Sequence, residues 1–210
     1  MSWDYHRNAL YQTQGEQGGN AYGFPDPTAE AAIRKVQRSQ QGLQSKRAGE
    51  SFEDMIAASL MWYEIKGLAC IEKTPEPMRQ LSKPNKRGHF LSCYEKRAQP
   101  DFKGTITGGR SVVFEAKHTD SDRIEYSRLS DEQIKKLSKH HALGAAAFVL
   151  VSFGMQDFYR IPWEVWRDMK AIYKHKHMKQ PECEPYRVQY IAGVLKLLEG
   201  IDLRYNEKKE

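Results

Sequence analysis

One uninterrupted apolar run in the second half of the chain constrains the fold more than any other feature. Residues 145–151 read Ala-Ala-Ala-Phe-Val-Leu-Val, without a polar side chain. The run is far too short to cross a bilayer. A strand that is apolar on both faces is typical of sheets covered by helices on both sides. The sequence therefore predicts a buried strand at this place.

The segments around the run predict the rest of a sheet. A helix is predicted from about residue 45 to Gly67, because apolar residues from Phe52 to Tyr63 recur at helical spacing. Gly108-Gly109 separates two strand-like segments and indicates a hairpin. The order of helices and strands favours an α/β fold with a mixed central sheet. The other predicted elements are strands at 68–71, 101–107, 111–117 and 156–161, and helices at 130–141, after Pro162 and at 188–198.

The chain is predicted to consist of an arm and one folded domain. Residues 1–44 contain seven Gln and five Gly, and this arm cannot bury enough surface to fold alone. Within it, a short helix is predicted to begin near Pro27, with Thr28 as its cap. The folded domain is expected to occupy residues 45–205. Inside that domain, residues 75–97 form a basic excursion, with six Lys or Arg against two Glu.

Charge and cysteine content limit the class of partner and the compartment. Thirty-three Lys and Arg against 27 Asp and Glu give a formal net charge of +6, which favours polyanions such as nucleic acid. Three widely spaced cysteines without a Cys-x-x-Cys pair fit a reducing, cytoplasmic compartment. The N-terminus has no apolar signal region, so a membrane partner is not expected. No phosphate-binding glycine loop points to a nucleotide cofactor.

A pair of charged residues in the second hairpin strand indicates chemistry. Alternation along a strand places Glu115 and Lys117 on one face, and Asp101 at the start of the preceding strand can approach Glu115. Two neighbouring carboxylates repel each other unless a cation lies between them, and such a pair suits Mg²⁺ or Mn²⁺. This pattern favours metal-assisted phosphodiester hydrolysis, with Lys117 assisting the attacking water or the transition state. A plain salt bridge at the strand edge is the alternative.

Pro100-Asp101 followed by Glu115-Ala116-Lys117 resembles the motif of the PD-(D/E)xK nuclease superfamily. Over roughly residues 46–170, the chain resembles the RecU family of Holliday junction resolvases. The resemblance implies a restriction-endonuclease-like fold, in which helices flank a mixed central sheet and a basic stalk segment protrudes. The stretches that carry it are Arg47-Ala48-Gly49-Glu50-Ser51-Phe52-Glu53, Cys70-Ile71-Glu72-Lys73-Thr74-Pro75, Phe114-Glu115-Ala116-Lys117-His118-Thr119, Gln133-Ile134 and residues 144–153.

The resemblance also implies roles for individual residues. Asp101 and Glu115 would bind the metal, Lys117 would be the catalytic lysine, and Glu53 would be a further acidic residue of the site. Gln133 would lie near the DNA phosphate. Without the resemblance, Glu53 reads as a solvated helix residue and Gln133 as a surface amide. Residues 75–97 would form a stalk that enters the junction, with phosphate contacts from Arg79, Lys83, Lys86, Arg87, Lys96 and Arg97; a basic loop that only aids solubility is the alternative.

The expected function is that of a Mg²⁺-dependent, structure-selective endodeoxyribonuclease. It would act as a homodimer and resolve four-way DNA junctions by paired nicks, in the recombination and repair of a bacterium or of its phage. The expected location is the cytoplasm, close to the nucleoid. Two alternatives remain open: another PD-(D/E)xK nuclease that acts on linear or flapped DNA, and a catalytically silent DNA-binding protein that assists recombination.

Overall fold

The computed structural model describes residues 27–75, 78–94 and 99–201. The chain divides into two units, Met1–Leu43 and Gln44–Glu210. Helix α1 spans Pro27–Ile65, where the sequence predicts a short helix near Pro27 and a second one from residue 45. The two predicted helices form one continuous helix, and no proline lies between them to interrupt it. None of the described helices is long and apolar enough to cross a membrane.

A six-stranded mixed sheet forms the centre of the second unit, in the order β1-β4-β5-β7-β8-β10. Strands β5 and β7 are parallel, and the other neighbours are antiparallel. The mixed α/β fold with flanking helices is therefore confirmed. The elements after α1 are β1 (Ala69–Lys73), β2 (Met78–Gln80), β3 (Ser92–Tyr94), β4 (Phe102–Ile106), β5 (Ser111–Thr119), β6 (Arg123–Glu125), α2 (Asp131–Ala142), β7 (Ala146–Phe153), β8 (Asp157–Pro162), α3 (Trp163–Arg167), α4 (Met169–Tyr173), β9 (His177–Lys179), α5 (Gln180–Cys183), β10 (Arg187–Val188), β11 (Tyr190–Ile191) and β12 (Val194–Leu195).

The sheet separates two apolar layers, because successive side chains of a strand point to opposite faces. On one face, Phe114 packs between Phe102 and Phe148, with ring centroids 4.8 and 4.7 Å apart. Phe52 and Ile56 of α1 belong to the same layer. The opposite layer contains Val113 and Val149 of the sheet with helical residues such as Leu137, Trp163 and Trp166. Glu115 and Lys117 share the face of Val113, so the charged pair lies on the α2 side of the sheet.

The hairpin that precedes the site forms as predicted. Gly108 and Gly109 both have positive φ, at 90° and 82°, which glycine adopts without the strain of a side chain. Strand β4 pairs with β5 up to Phe102 opposite Phe114. The residue before Phe102 is Asp101, so the turn and the register together bring Asp101 beside Glu115. Residue 104 must be glycine for reasons of packing, because a Cβ there would lie 2.0 Å from the Cys70 carbonyl oxygen.

The basic segment contains a small two-stranded ribbon. Strands β2 and β3 pair antiparallel, with Met78 opposite Tyr94, and residues 78–91 are all exposed. Arg79, Lys83, Lys86 and Arg87 lie on this ribbon, and none of the four forms an ion pair within the described ranges. Lys96 and Arg97 lie outside the described residues. We call residues 78–94 the basic ribbon.

In the C-terminal third, the helix predicted after Pro162 is present, and one other prediction is wrong. The helix after Pro162 is divided into α3 and α4, which meet at Asp168. The helix predicted at 188–198 is a β-hairpin of β11 and β12 instead, because Ala192 and Gly193 both take positive φ and turn the chain. This hairpin packs on α1: the Leu195 amide donates to Ser59 Oγ at 2.9 Å. The apolar spacing of this segment therefore reports contact with α1 rather than helical structure.

Candidate active site

Strand β5 changes character after Phe114. Up to that residue it has β4 on one edge and β7 on the other, and from Glu115 to Thr119 it pairs with β7 alone within the described ranges. The Glu115 side chain is fully buried, while that of Lys117 is 14% exposed. The two charged groups therefore lie at the point where one edge of the strand opens.

Asp101 occupies the opened edge. Its Oδ2 accepts a hydrogen bond of 3.0 Å from the Ala116 amide, which is the bond that a continuing β4 would otherwise supply. The same oxygen lies 3.4 Å from Lys117 Nζ. The carboxylate thus replaces a strand partner and is fixed against the backbone between the other two site residues.

Lys117 links the two acids. Its Nζ donates to Glu115 Oε2 at 3.1 Å, as well as to Asp101. Burial raises the pKa of Glu115 to about 8, and the neighbouring Asp101 carboxylate adds to this rise, while Lys117 opposes it. At this pKa the protonated acid is favoured at neutral pH even beside Lys117, and a divalent cation would favour the ionised form. The arrangement of two acids around one amine is the one that the sequence predicts.

Gln133 reaches Glu115 from helix α2. Its Nε2 donates to Glu115 Oε2, and its Oε1 accepts from the Ser130 amide at 3.0 Å. Ser130 Oγ in turn accepts from the Gln133 amide, which completes a capping box at the start of α2. Both ends of the Gln133 side-chain amide are therefore engaged within the protein. In the structure, Gln133 therefore contacts the carboxylate of Glu115. The predicted position of Gln133 near a DNA phosphate stays a prediction.

Glu53 lies on α1, at a pocket that Asp101 also lines. Its carboxylate forms a 2.6 Å ion pair with Lys73 Nζ, and this pairing raises the pKa of Lys73. Both residues line an open pocket of about 450 Å³ together with Thr74, Pro75 and Asp101. The Thr74 amide donates to the Asp101 carbonyl at 2.8 Å. The pocket gives a ligand access to Asp101 from the α1 side.

Comparison with known proteins identifies the family at this point. The family model described as Recombination protein U (RecU) matches residues 47–202, about three quarters of the chain. The chain belongs to the RecU family. The matched residues include every member of the site described above.

Two curated relatives agree with this assignment. The chain is 31% identical over 151 residues to the Holliday junction resolvase RecU of Streptococcus pneumoniae strain P1031, covering 69% of this chain and 76% of that protein. The same protein of strain Hungary19A-6 is 31% identical over 119 residues, and the chain spans 60% of its length. Among solved structures, the chain is similar to Archaeoglobus fulgidus Hjc, a Holliday junction resolvase, with a TM-score of 0.42 and 14% identity over 66% of this chain and 89% of that one.

The donor set of this RecU-family site fits a hard divalent cation. Glu115 Oε1 is buried and has no hydrogen-bond donor within the described ranges. The other oxygen of this carboxylate accepts from Lys117, which also contacts Asp101, so the two carboxylates lie close together. No group of three or more His, Cys, Asp or Glu side chains in the described part of the chain is placed to hold a metal ion. Two carboxylates with water completing the shell is a common arrangement for Mg²⁺.

Sequence reasoning missed three residues that shape the site. Ser130 could have been found, since a Ser followed three residues later by Gln is a capping-box signature. Lys73 and Thr74 lie in the stretch that resembles the family, but nothing in their spacing predicts the contacts with Glu53 and Asp101. Those contacts depend on how α1 and β4 pack against β1, which local sequence does not specify.

Proposed function

We propose that this RecU-family protein is a Holliday junction resolvase that cleaves four-way DNA junctions by paired nicks, with Mg²⁺ or Mn²⁺ as cofactor. The observation that carries the proposal is the convergence of Asp101, Glu115 and Lys117 at the opened edge of β5. The names of the relatives supply the substrate class. Buried charges are costly unless they are paired or coordinate a metal, and Asp101 of this cluster lines an open pocket.

In this proposal, Asp101 and Glu115 hold the divalent cation. When bound, such an ion polarises the scissile phosphate and lowers the pKa of a water molecule. Ala116 and Gln133 keep the two carboxylates in place through the hydrogen bonds described above. A cation bound there would favour the ionised form of Glu115, whose pKa burial raises to about 8.

Lys117 carries the remaining positive charge of the site. Its ammonium group has three protons to donate and lies within 3.4 Å of both acids. A group in that position can orient the attacking water or neutralise the charge that develops on the phosphate in the transition state. We assign this role to Lys117, and assign to Glu53 the role of an acidic neighbour that orients Lys73 at the rim of the pocket.

Junction binding is assigned to the basic ribbon. Its four described cations have no carboxylate partner in the described part of the chain, so their charge is available to phosphates. Phe90, which is also on the basic ribbon, is half exposed. Unpaired bases at a crossover can stack on such an aromatic ring. A homodimer would place two sites on one junction, which is what paired nicks require.

A cleavage assay tests the proposal. A labelled four-way junction and a linear duplex of the same sequence are incubated with the full chain, with and without Mg²⁺. We expect symmetric nicks in the junction only, and only with the cation. Equal cleavage of the linear duplex would favour a different nuclease activity. Absence of cleavage with both Mg²⁺ and Mn²⁺ would favour a DNA-binding role without catalysis.

A further inference from the structure

A second side chain occupies the opened edge of β5 beyond Asp101. Arg128 Nη2 donates a hydrogen bond of 3.1 Å to the carbonyl oxygen of His118. Asp101 binds the amide of Ala116, two residues earlier on the same strand. Backbone groups of residues two apart in a strand point to the same edge. The carboxylate and the guanidinium therefore lie side by side along one edge of β5.

The separation of these two side chains follows from strand geometry. Two residues of a strand span roughly 6.6 Å. This distance is comparable with the separation of neighbouring phosphates along one DNA strand. A phosphate at the cation held by Asp101 would thus place the next phosphate of the same strand close to Arg128.

The segment that carries Arg128 is fixed at both ends. Residues Tyr126–Arg128 form a 3₁₀ turn, and the Tyr126 amide donates to the Lys176 carbonyl at 2.9 Å. Leu129 follows and is buried, and Ser130 then opens the capping box whose Gln133 holds Glu115. One short segment therefore delivers two side chains to β5, and its position is coupled to that of the candidate metal ligand.

The charge of Arg128 is not neutralised by a neighbour. The residue is exposed and forms no ion pair within the described ranges. Arg123, five residues earlier, is paired with Glu125 at 2.8 Å. A guanidinium has five N–H donors, and the His118 carbonyl occupies one of them. The remaining donors match the paired oxygens of a phosphate, for which arginine is the preferred partner.

We propose that Arg128 binds a DNA backbone phosphate next to the one that is cleaved. This inference rests on the proposed function, since it places the neighbouring phosphate relative to the candidate metal site. The site is a phosphodiester subsite: it reads no base, and it sets the position of the DNA strand along β5. The hydrogen bond to His118 holds the guanidinium in place before DNA arrives.

Two substitutions separate phosphate binding from a structural role. Arg128→Gln keeps an N–H donor for the His118 carbonyl but removes the charge, and Arg128→Lys keeps the charge. Affinity for the four-way junction is measured against salt concentration in EDTA, which prevents cleavage. We expect Arg128→Gln to weaken binding about tenfold and to reduce the salt slope by about 0.9, the value for one phosphate contact. Arg128→Lys should retain the slope, and the matched control Arg123→Gln should behave like the wild type.

A wild-type slope and affinity in Arg128→Gln would overturn the proposal. So would an equal loss in Arg123→Gln, because the effect would then be one of general charge. These binding measurements do not depend on cleavage. If the wild type fails to cleave junctions, the proposed function fails, while the phosphate contact of Arg128 is still decided by the salt slope.

A modified substrate locates the phosphate. A neutral methylphosphonate is placed at each phosphate beside the scissile one, and single-turnover cleavage is measured with Mg²⁺. At one position we expect the wild type to slow by about tenfold and Arg128→Gln to show no further loss. An equal additional loss in Arg128→Gln at every position would overturn the assignment.

Discussion

The candidate active site and the basic ribbon both present charged side chains, but they are built in opposite ways. At the site, Glu115 is fully buried and each charged group contacts another, so the members form one network. On the basic ribbon, the described cations are exposed and form no ion pairs within the described ranges. Coupled, buried charges act as a unit, whereas exposed charges add nearly independently. This difference supports the proposal that the first region performs the chemistry and the second contributes affinity for DNA.

The largest expected effect comes from breaking the network. Asp101→Asn keeps an oxygen for the Ala116 amide but loses the charge, and Lys117→Ala removes the amine. We expect each change to lower single-turnover nicking of a four-way junction on the order of 10²–10³-fold or more, while junction binding survives. The double variant should be little worse than either single variant. Nicking retained in both single variants would remove these residues from the site.

The buried acid should make the stability of the cation-free protein depend on pH. The folded-state pKa of Glu115, about 8, lies above its value in the unfolded chain. The contribution of this group is therefore complete at low pH, and the free energy of unfolding falls by a few kcal/mol as the pH rises from about 4.5 to about 8. Glu115→Gln should lack this fall and should be more stable than the wild type at pH 9.

Urea denaturation in EDTA at several pH values measures this dependence. Added Mg²⁺ should flatten the wild-type curve, because a divalent cation favours the ionised carboxylate. It should leave Glu115→Gln almost unchanged. Parallel curves for the two proteins in EDTA would show that folding does not raise the pKa of Glu115.

The basic ribbon should respond in affinity alone. Neutralising Arg79, Lys83, Lys86 and Arg87 together should weaken junction binding by about 10–100-fold at moderate salt and reduce the salt slope by up to about 3.6, for four phosphate contacts. Single-turnover nicking at saturating protein should stay close to that of the wild type. Unchanged affinity would show that the basic ribbon has no role in junction binding. Slowed nicking at saturating protein would show that the basic ribbon also affects catalysis at the candidate active site.

The sequence predicts the site better than its surroundings, for reasons of geometry. Glu115 and Lys117 are two residues apart on a strand, and the Gly108-Gly109 turn fixes the register that brings Asp101 beside them. Local rules are sufficient for these three residues. The apolar spacing at 188–198 predicts a helix but also fits a hairpin in so short a segment, and the turn at Ala192-Gly193 and the contact with Ser59 of α1 distinguish the two structures.

The same distinction explains Gln133 and Arg128. Sequence reasoning placed Gln133 near the site, but its partner depends on the angle at which α2 packs on the sheet. Arg128 has no pattern that predicts its contact, because the bond to the His118 carbonyl exists only where a neighbouring strand ends. Side chains that complete an interrupted sheet are determined by the tertiary structure.

The smallest expected effect tests whether Gln133 of α2 acts on the ionisation of Glu115 or only stabilises the fold around it. Gln133→Ala removes the donor to Glu115 Oε2, so the pKa of Glu115 should rise further and nicking at neutral pH should fall by about tenfold. The loss should shrink as the pH of the assay is raised, because the acid ionises again.

Ser130→Ala should lower stability by about 1 kcal/mol through the lost cap but should weaken nicking less than Gln133→Ala. Lys136→Ala, one turn further along α2, is the control for nicking. A loss in Gln133→Ala that is independent of pH would instead indicate that its amide contacts the substrate, which would move Gln133 from the network to the DNA.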